Sequence, residues 1–105
     1  MTVTAALTVA PLGDPDADFD AEIAKAIDAL ERFDVEYETH PMETTIEADD
    51  LDEVFAAAQA ASEAVDARRV LTSLKVDHFR EEQLGVEEKV DRVEAHLGRE
   101  ARSRR

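Results

Sequence analysis

The spacing of hydrophobic and polar positions changes several times along this chain, and each change predicts an element. Residues 3–10 largely alternate, with Val3, Ala5, Leu7 and Val9 set against Thr4, Ala6 and Thr8. That two-residue period is the mark of a strand with one buried face. Pro11 and Gly13 punctuate it, an acidic turn follows, and Asp18 stands where a helix N-cap belongs. Phe19, Ile23, Ala26, Ile27, Leu30 and Phe33 then recur at helical spacing, with Glu22, Lys25, Asp28 and Glu31 off that face. Val35, Tyr37 and Thr39 alternate with Glu36, Glu38 and His40 and predict a half-exposed strand. Pro41 interrupts it, and residues 42–48 predict a third strand. Asp50 followed by Glu53 has the spacing of a capping box. It opens a helix whose apolar face is Leu51, Val54, Phe55, Ala58, Ala61 and Val65. Residues 70–76 predict a fourth strand. Gly85 opens a third helix with a predicted buried stripe of Val86, Val90, Val93 and Leu97, and Gly98 closes it.

The order β-α-β-β-α-β-α predicts an α+β fold. Two βα units sharing one four-stranded antiparallel sheet give the ferredoxin-like βαββαβ plan, with two helices on one face and an extra C-terminal helix. Residues 1–98 form the predicted domain, and residues 99–105 a frayed basic tail. One sheet face or the other holds mixed residues: Thr4, Ala6 and Thr8 on the first strand and Glu43, Thr45 and Glu47 on the third, while on the fourth Leu71, Ser73, Lys75 and Asp77 alternate with Val70, Thr72, Leu74 and Val76. Small residues, hydroxyls and isolated charges suit a packed but wet subunit interface.

Composition sharpens that picture. Eighteen of the 105 residues are alanine and there is no tryptophan. Alanine buries little area, so the core leans on a few larger side chains and oligomerisation is expected. Net charge is −14, from 26 carboxylates against 12 lysines and arginines. Such a surface repels phosphate backbones and acidic membranes, so neither nucleic acid nor membrane is an expected partner. Lysine occurs only three times. That residue choice favours a surface adapted to multimolar salt, where the Debye length is about 3 Å, over one evolved for a cationic partner. The first residues lack the basic and apolar regions of a signal peptide, and no run is long and apolar enough to span a bilayer, so a cytoplasmic location is expected.

Chemistry is sparse. Cysteine is absent, which excludes disulfides, thiolate metal sites and thiol nucleophiles. The three glycines are isolated, so no phosphate loop exists, and His40, His78 and His96 fall on three separate elements with no metal-ligand spacing. No catalytic residue, metal site or cofactor is predicted. Glu47 stands out as a carboxylate inside a strand, and Lys75 as a lysine in the most apolar strand, where it needs a partner.

Three segments in order, Thr4-Ala5-Ala6-Leu7-Thr8-Val9-Ala10-Pro11-Leu12-Gly13, His40-Pro41-Met42-Glu43-Thr44-Thr45-Ile46-Glu47-Ala48 and Arg69-Val70-Leu71-Thr72-Ser73-Leu74-Lys75-Val76-Asp77, resemble the small thiamine-binding protein family. The likeness spans residues 3–97. It implies a ferredoxin-like subunit of a homotetramer with stacked sheets, a pocket near those sheets for thiamine or its hydroxymethylpyrimidine moiety, and no enzymatic activity. Thiamine combines a fixed cation with an aminopyrimidine. Thr8, Thr45, Glu47, Thr72, Ser73 and Lys75 are the candidate ligand-binding residues, a carboxylate to meet the charge and hydroxyls to orient the ring. The alternatives are a regulatory or interaction subunit with no small-molecule ligand, and an enzyme using Glu47 and Lys75 for acid–base chemistry.

Overall fold

The structure, a computed structural model, describes residues 2–104. It contains β1 (Thr2–Leu12), α1 (Phe19–Ala29) continued by a 3-10 turn (Leu30–Arg32), β2 (Glu36–Thr39), β3 (Thr44–Ala48), α2 (Leu51–Ala64), β4 (Arg69–Phe79) and α3 (Val86–Leu97). The strands form one antiparallel sheet in the order β2-β3-β1-β4. This is the ferredoxin-like plan the sequence predicts, one four-stranded antiparallel sheet shared by two βα units with an extra C-terminal helix.

The alternation in β1 decides which side is filled. Val3, Ala5, Leu7 and Val9 turn toward α1 and α2 and meet Ile46, Ala48, Val54 and Leu30 in one core. Leu30, Ile46, Val3 and Val54 are the large side chains with no measurable exposure; much of the rest is alanine. Those four therefore carry a large share of the apolar burial.

Four local outcomes differ from the sequence pattern. Phe19 and Phe55, assigned to apolar helix faces, are 52% and 54% exposed. Successive helix positions are about 100° apart, and Val54 occupies the inward direction beside Phe55. The capping box is only half formed: Asp50 accepts from Asp52 N at 2.9 Å, but Glu53 accepts from Asp34 N at 3.0 Å, tying α2 to the entrance of β2. β3 begins two residues late because His40 N donates to Glu43 O at 2.8 Å, closing the Pro41-Met42 turn. Finally, α3 buries no residue, and Val90, Val93 and Leu97 of its apolar stripe are largely exposed. The core was already complete between the sheet and the first two helices, so α3 has gone to the opposite face, where the strands offer Thr, Ala and charged groups.

An unpredicted tie holds the helical layer. Glu22 is buried beside the core, accepting from Lys25 Nζ at 2.7 Å and from Asp66 N at 2.7 Å. The Lys25 hydrogen bond, then that from Asp66 N, holds the Glu22 carboxyl below its usual range, and the same bond raises Lys25. Beyond α3, residues 99–104 form neither helix nor strand, with Ala101 N folded back on Glu94 Oε2 at 2.7 Å. The last residue of the expected tail, 105, lies outside the described residues.

Candidate functional site

Strand register sorts the candidate residues by face. Directly paired residues share a side of the sheet. Glu38 pairs with Thr45, Thr45 with Ala6, and Ala6 with Lys75, making one row across all four strands. Glu36, Glu47, Thr4 and Asp77 make the adjacent row on the same face. Thr8 and Ser73 pair further along it. Five of the six candidates, Thr8, Thr45, Glu47, Ser73 and Lys75, thus lie on the face away from α1 and α2. Thr72 does not join them. It pairs with Val9 on the other face, where its hydroxyl donates to Ser62 Oγ of α2 at 2.8 Å.

One end of this face is covered by α3 and the segment leading into it. Thr2 Oγ1 donates to Gln83 Oε1 at 2.6 Å and accepts from Leu84 N at 2.9 Å. Lys89 Nζ, reaching down from α3, donates to Thr4 Oγ1 and to Asp77 Oδ2, both at 2.6 Å. Gly85 lies against Glu47: a Cβ there would stand 2.9 Å from Glu47 Cδ and 3.1 Å from Oε2. The helix start can approach the carboxylate because that position has no side chain.

Two neighbouring hollows result. The first, about 310 Å³, lies between the β2–β3 edge and the start of α3 and is lined by Glu36, Glu38, Glu47 and Asp91 with Thr45 and Val86. The second, about 570 Å³, runs beneath α3 over Ala6, with Lys75, Lys89 and Asp77 on one side and Val86 and Val90 above. Thr45 and Val86 border both. Ala6 is the floor; its small side chain leaves the space. Thr8 and Ser73 are exposed beyond the groove.

Of the six candidates, Thr45, Glu47 and Lys75 line these hollows; the sequence reading passed over Glu36 and Glu38 on β2, and it missed Gly85, Lys89 and Asp91. All three belong to α3 or its entrance, and the helical period that reveals α3 says nothing about which sheet face it lies on. Among the described residues, no three His, Asp or Glu side chains gather as metal ligands would. His78 pairs with Val3 on the helix side of the sheet, away from the groove, with Nε2 buried and without a hydrogen-bond partner among the described residues. No helix among the described residues is long and apolar enough to cross a membrane.

Comparison with known proteins gives a consistent match over nearly the whole chain. The family described as "Thiamine-binding protein" matches residues 5–94. A UPF0045 protein of Methanothermobacter thermautotrophicus is 42% identical over 98 residues, covering 90% of this chain and 99% of the relative. The crystal structure of protein MJ1052 from Methanocaldococcus jannaschii superposes with a TM-score of 0.79 at 32% identity, over 88% of this chain and 95% of that one. A Thermotoga maritima structure, described as a candidate thiamine biosynthesis/salvage protein, has the same fold, with a TM-score of 0.74 at 24% identity over 89% of this chain and 99% of its own.

Proposed function

The chain belongs to the thiamine-binding protein family, and from that membership we propose that it is a non-catalytic binding protein for thiamine or its hydroxymethylpyrimidine moiety, seated in the groove beneath α3. The observation that carries this reading is the groove's chemistry. Carboxylates of Glu36, Glu38 and Glu47 line one end, a hydroxyl at Thr45 stands beside them, and Ala6 leaves a shallow apolar floor. A fixed cation and an amino-bearing ring find complementary charge and acceptors in such a place. Thr8 and Ser73 lie at the rim on this reading, and Thr72 acts in the helical layer.

A carrier, buffer or sensor fits better than an enzyme. The chain has no cysteine, and the buried His78 Nε2 faces the other side of the sheet. The open groove and the exposed Val90, Val93, Leu97 and Leu71 on the same side support a second copy closing over it, in a homotetramer with stacked sheets. Acidic self-repulsion opposes that assembly at low salt and is screened in molar salt, which favours a high-salt cytoplasm as its setting.

The test is a thermal-shift titration with thiamine and with hydroxymethylpyrimidine, run in molar KCl. A ligand that binds only the native state adds about 2.7 kcal/mol at a hundred times its dissociation constant. In a domain of this size that is a rise of roughly 10 °C or more. No shift with either compound at millimolar concentration overturns the reading.

A further inference from the structure

The groove is electrically two-sided, and its two sides do not suit the same part of a ligand. Along the row Glu38, Thr45, Ala6, Lys75, a carboxylate stands at one end and an ammonium at the other. Strands are spaced about 4.8 Å apart, so Thr45 and Lys75 are separated by roughly 10 Å with Ala6 between them. The adjacent row places Glu36 and Glu47 at the same acidic end and Asp77 at the other.

Asp77 does not cancel the charge on Lys75, because it is already paired with Lys89 Nζ at 2.6 Å. Lys75 itself makes no ion pair with any of the described residues. One positive charge is therefore left over at the β4 end of the groove. It stands out in a chain with only three lysines, two of which, Lys75 and Lys89, line this hollow.

We propose that the groove is built for a ligand carrying an anionic group, a phosphate ester above all, with its cationic or amine-bearing ring over Thr45 and Glu47 and its phosphate on Lys75. This rests on the binding reading above and narrows it to the phosphorylated form of the ligand. The chain's overall negative charge does not forbid a phosphate there. At molar ionic strength distant carboxylates are screened within about 3 Å, so the ammonium in direct contact decides.

The experiment is a calorimetric titration of the full chain, at one fixed ionic strength, with thiamine, thiamine monophosphate and inorganic phosphate. Wild type, Lys75→Gln and Lys75→Arg are compared. Thiamine monophosphate is expected to bind about tenfold more tightly than thiamine, the increment of a charge-assisted contact. That ratio falls toward one in Lys75→Gln and is kept in Lys75→Arg. Monophosphate binding no tighter than thiamine, or a ratio unchanged by Lys75→Gln, overturns the inference while leaving thiamine binding in place. Inorganic phosphate binding as tightly as the monophosphate also overturns it, because the ring end would then contribute nothing. If none of the three binds, the broader reading falls with it.

Discussion

Gly85→Ala separates the fold from the site. Gly85 precedes α3 with φ −80° and ψ 179°, a conformation any residue adopts, so a side chain brings no backbone strain. Alanine is a poorer N-cap than glycine by up to about 1 kcal/mol. Stiffening the unfolded chain offsets about 0.4–1 kcal/mol of that. The new methyl would stand 2.9 Å from Glu47 Cδ and 3.1 Å from Oε2, closer than packing allows. What must yield is the far end of a flexible side chain, so Glu47 swings away and the helix start stays in place. Net stability should change by about 1 kcal/mol or less, a melting shift within roughly 4–8 °C. Binding should suffer much more, because the displaced carboxylate forfeits a charge-assisted contact of about 1.5–3 kcal/mol. That is roughly a tenfold to hundredfold loss in thiamine affinity. Calorimetric titration beside a thermal melt reads both quantities, and in a Glu47→Ala background Gly85→Ala should cost no further affinity. Wild-type affinity in Gly85→Ala refutes the role given to Glu47. A melting loss well beyond 10 °C refutes the argument that the side chain yields before the backbone.

The remaining expectations test the layers around the site. Leu30→Ala removes one of the few large, fully buried side chains and should cost about 2–5 kcal/mol, read as a fall in the urea midpoint with an unchanged slope. Lys89→Met breaks the contacts to Thr4 and Asp77 that pin α3. Because α3 buries no residue, hydrogen exchange should accelerate across α3 and leave β1 protected, with global stability lowered by about 1 kcal/mol at most. Equal protection of α3 in both proteins would count against the clasp. Glu22→Gln tests the tie to Lys25 and Asp66. Since the folded Glu22 carboxyl sits below its usual range, its contribution is present above the ordinary glutamate range and lost as pH falls through the lowered value. The variant should therefore melt below wild type at neutral pH, with the gap closing on acidification; a gap independent of pH refutes the linkage.

The fold was legible because its signals are local. A two-residue period marked β1 as a strand, and Asp18 caps α1 as its position predicts, accepting from Ala21 N at 3.1 Å. The site was legible only as far as strand parity reaches. Thr45, Glu47 and Lys75 share a face because paired positions in adjacent strands must. The same parity puts Thr72 on the opposite face beside Ser62, since it is one residue out of step with Ser73. α3 escaped because its valine stripe has the period of a core helix. Nothing in that period encodes that the core was filled by alanines, Leu30 and Val54 before α3 arrived. Lys89 and Gly85, which shape the groove, came with it.

The groove exists because the centre of its row is an alanine, and this gives a trade-off that can be measured. Ala6 lies between Thr45 and Lys75 with Val86 and Val90 above it. Ala6→Leu would place three more carbons in that space, against two valines that are only partly covered. At about 0.8 kcal/mol for each buried methylene, the fold stands to gain up to roughly 2 kcal/mol, and the melting temperature should rise. The ring of the ligand would lose its floor, so thiamine binding should become undetectable at concentrations that saturate wild type. A natural chain so poor in large buried side chains leaves that stabilisation unused, as expected where space is kept for function. A variant that melts higher and still binds thiamine as wild type does would place the ligand somewhere other than this groove.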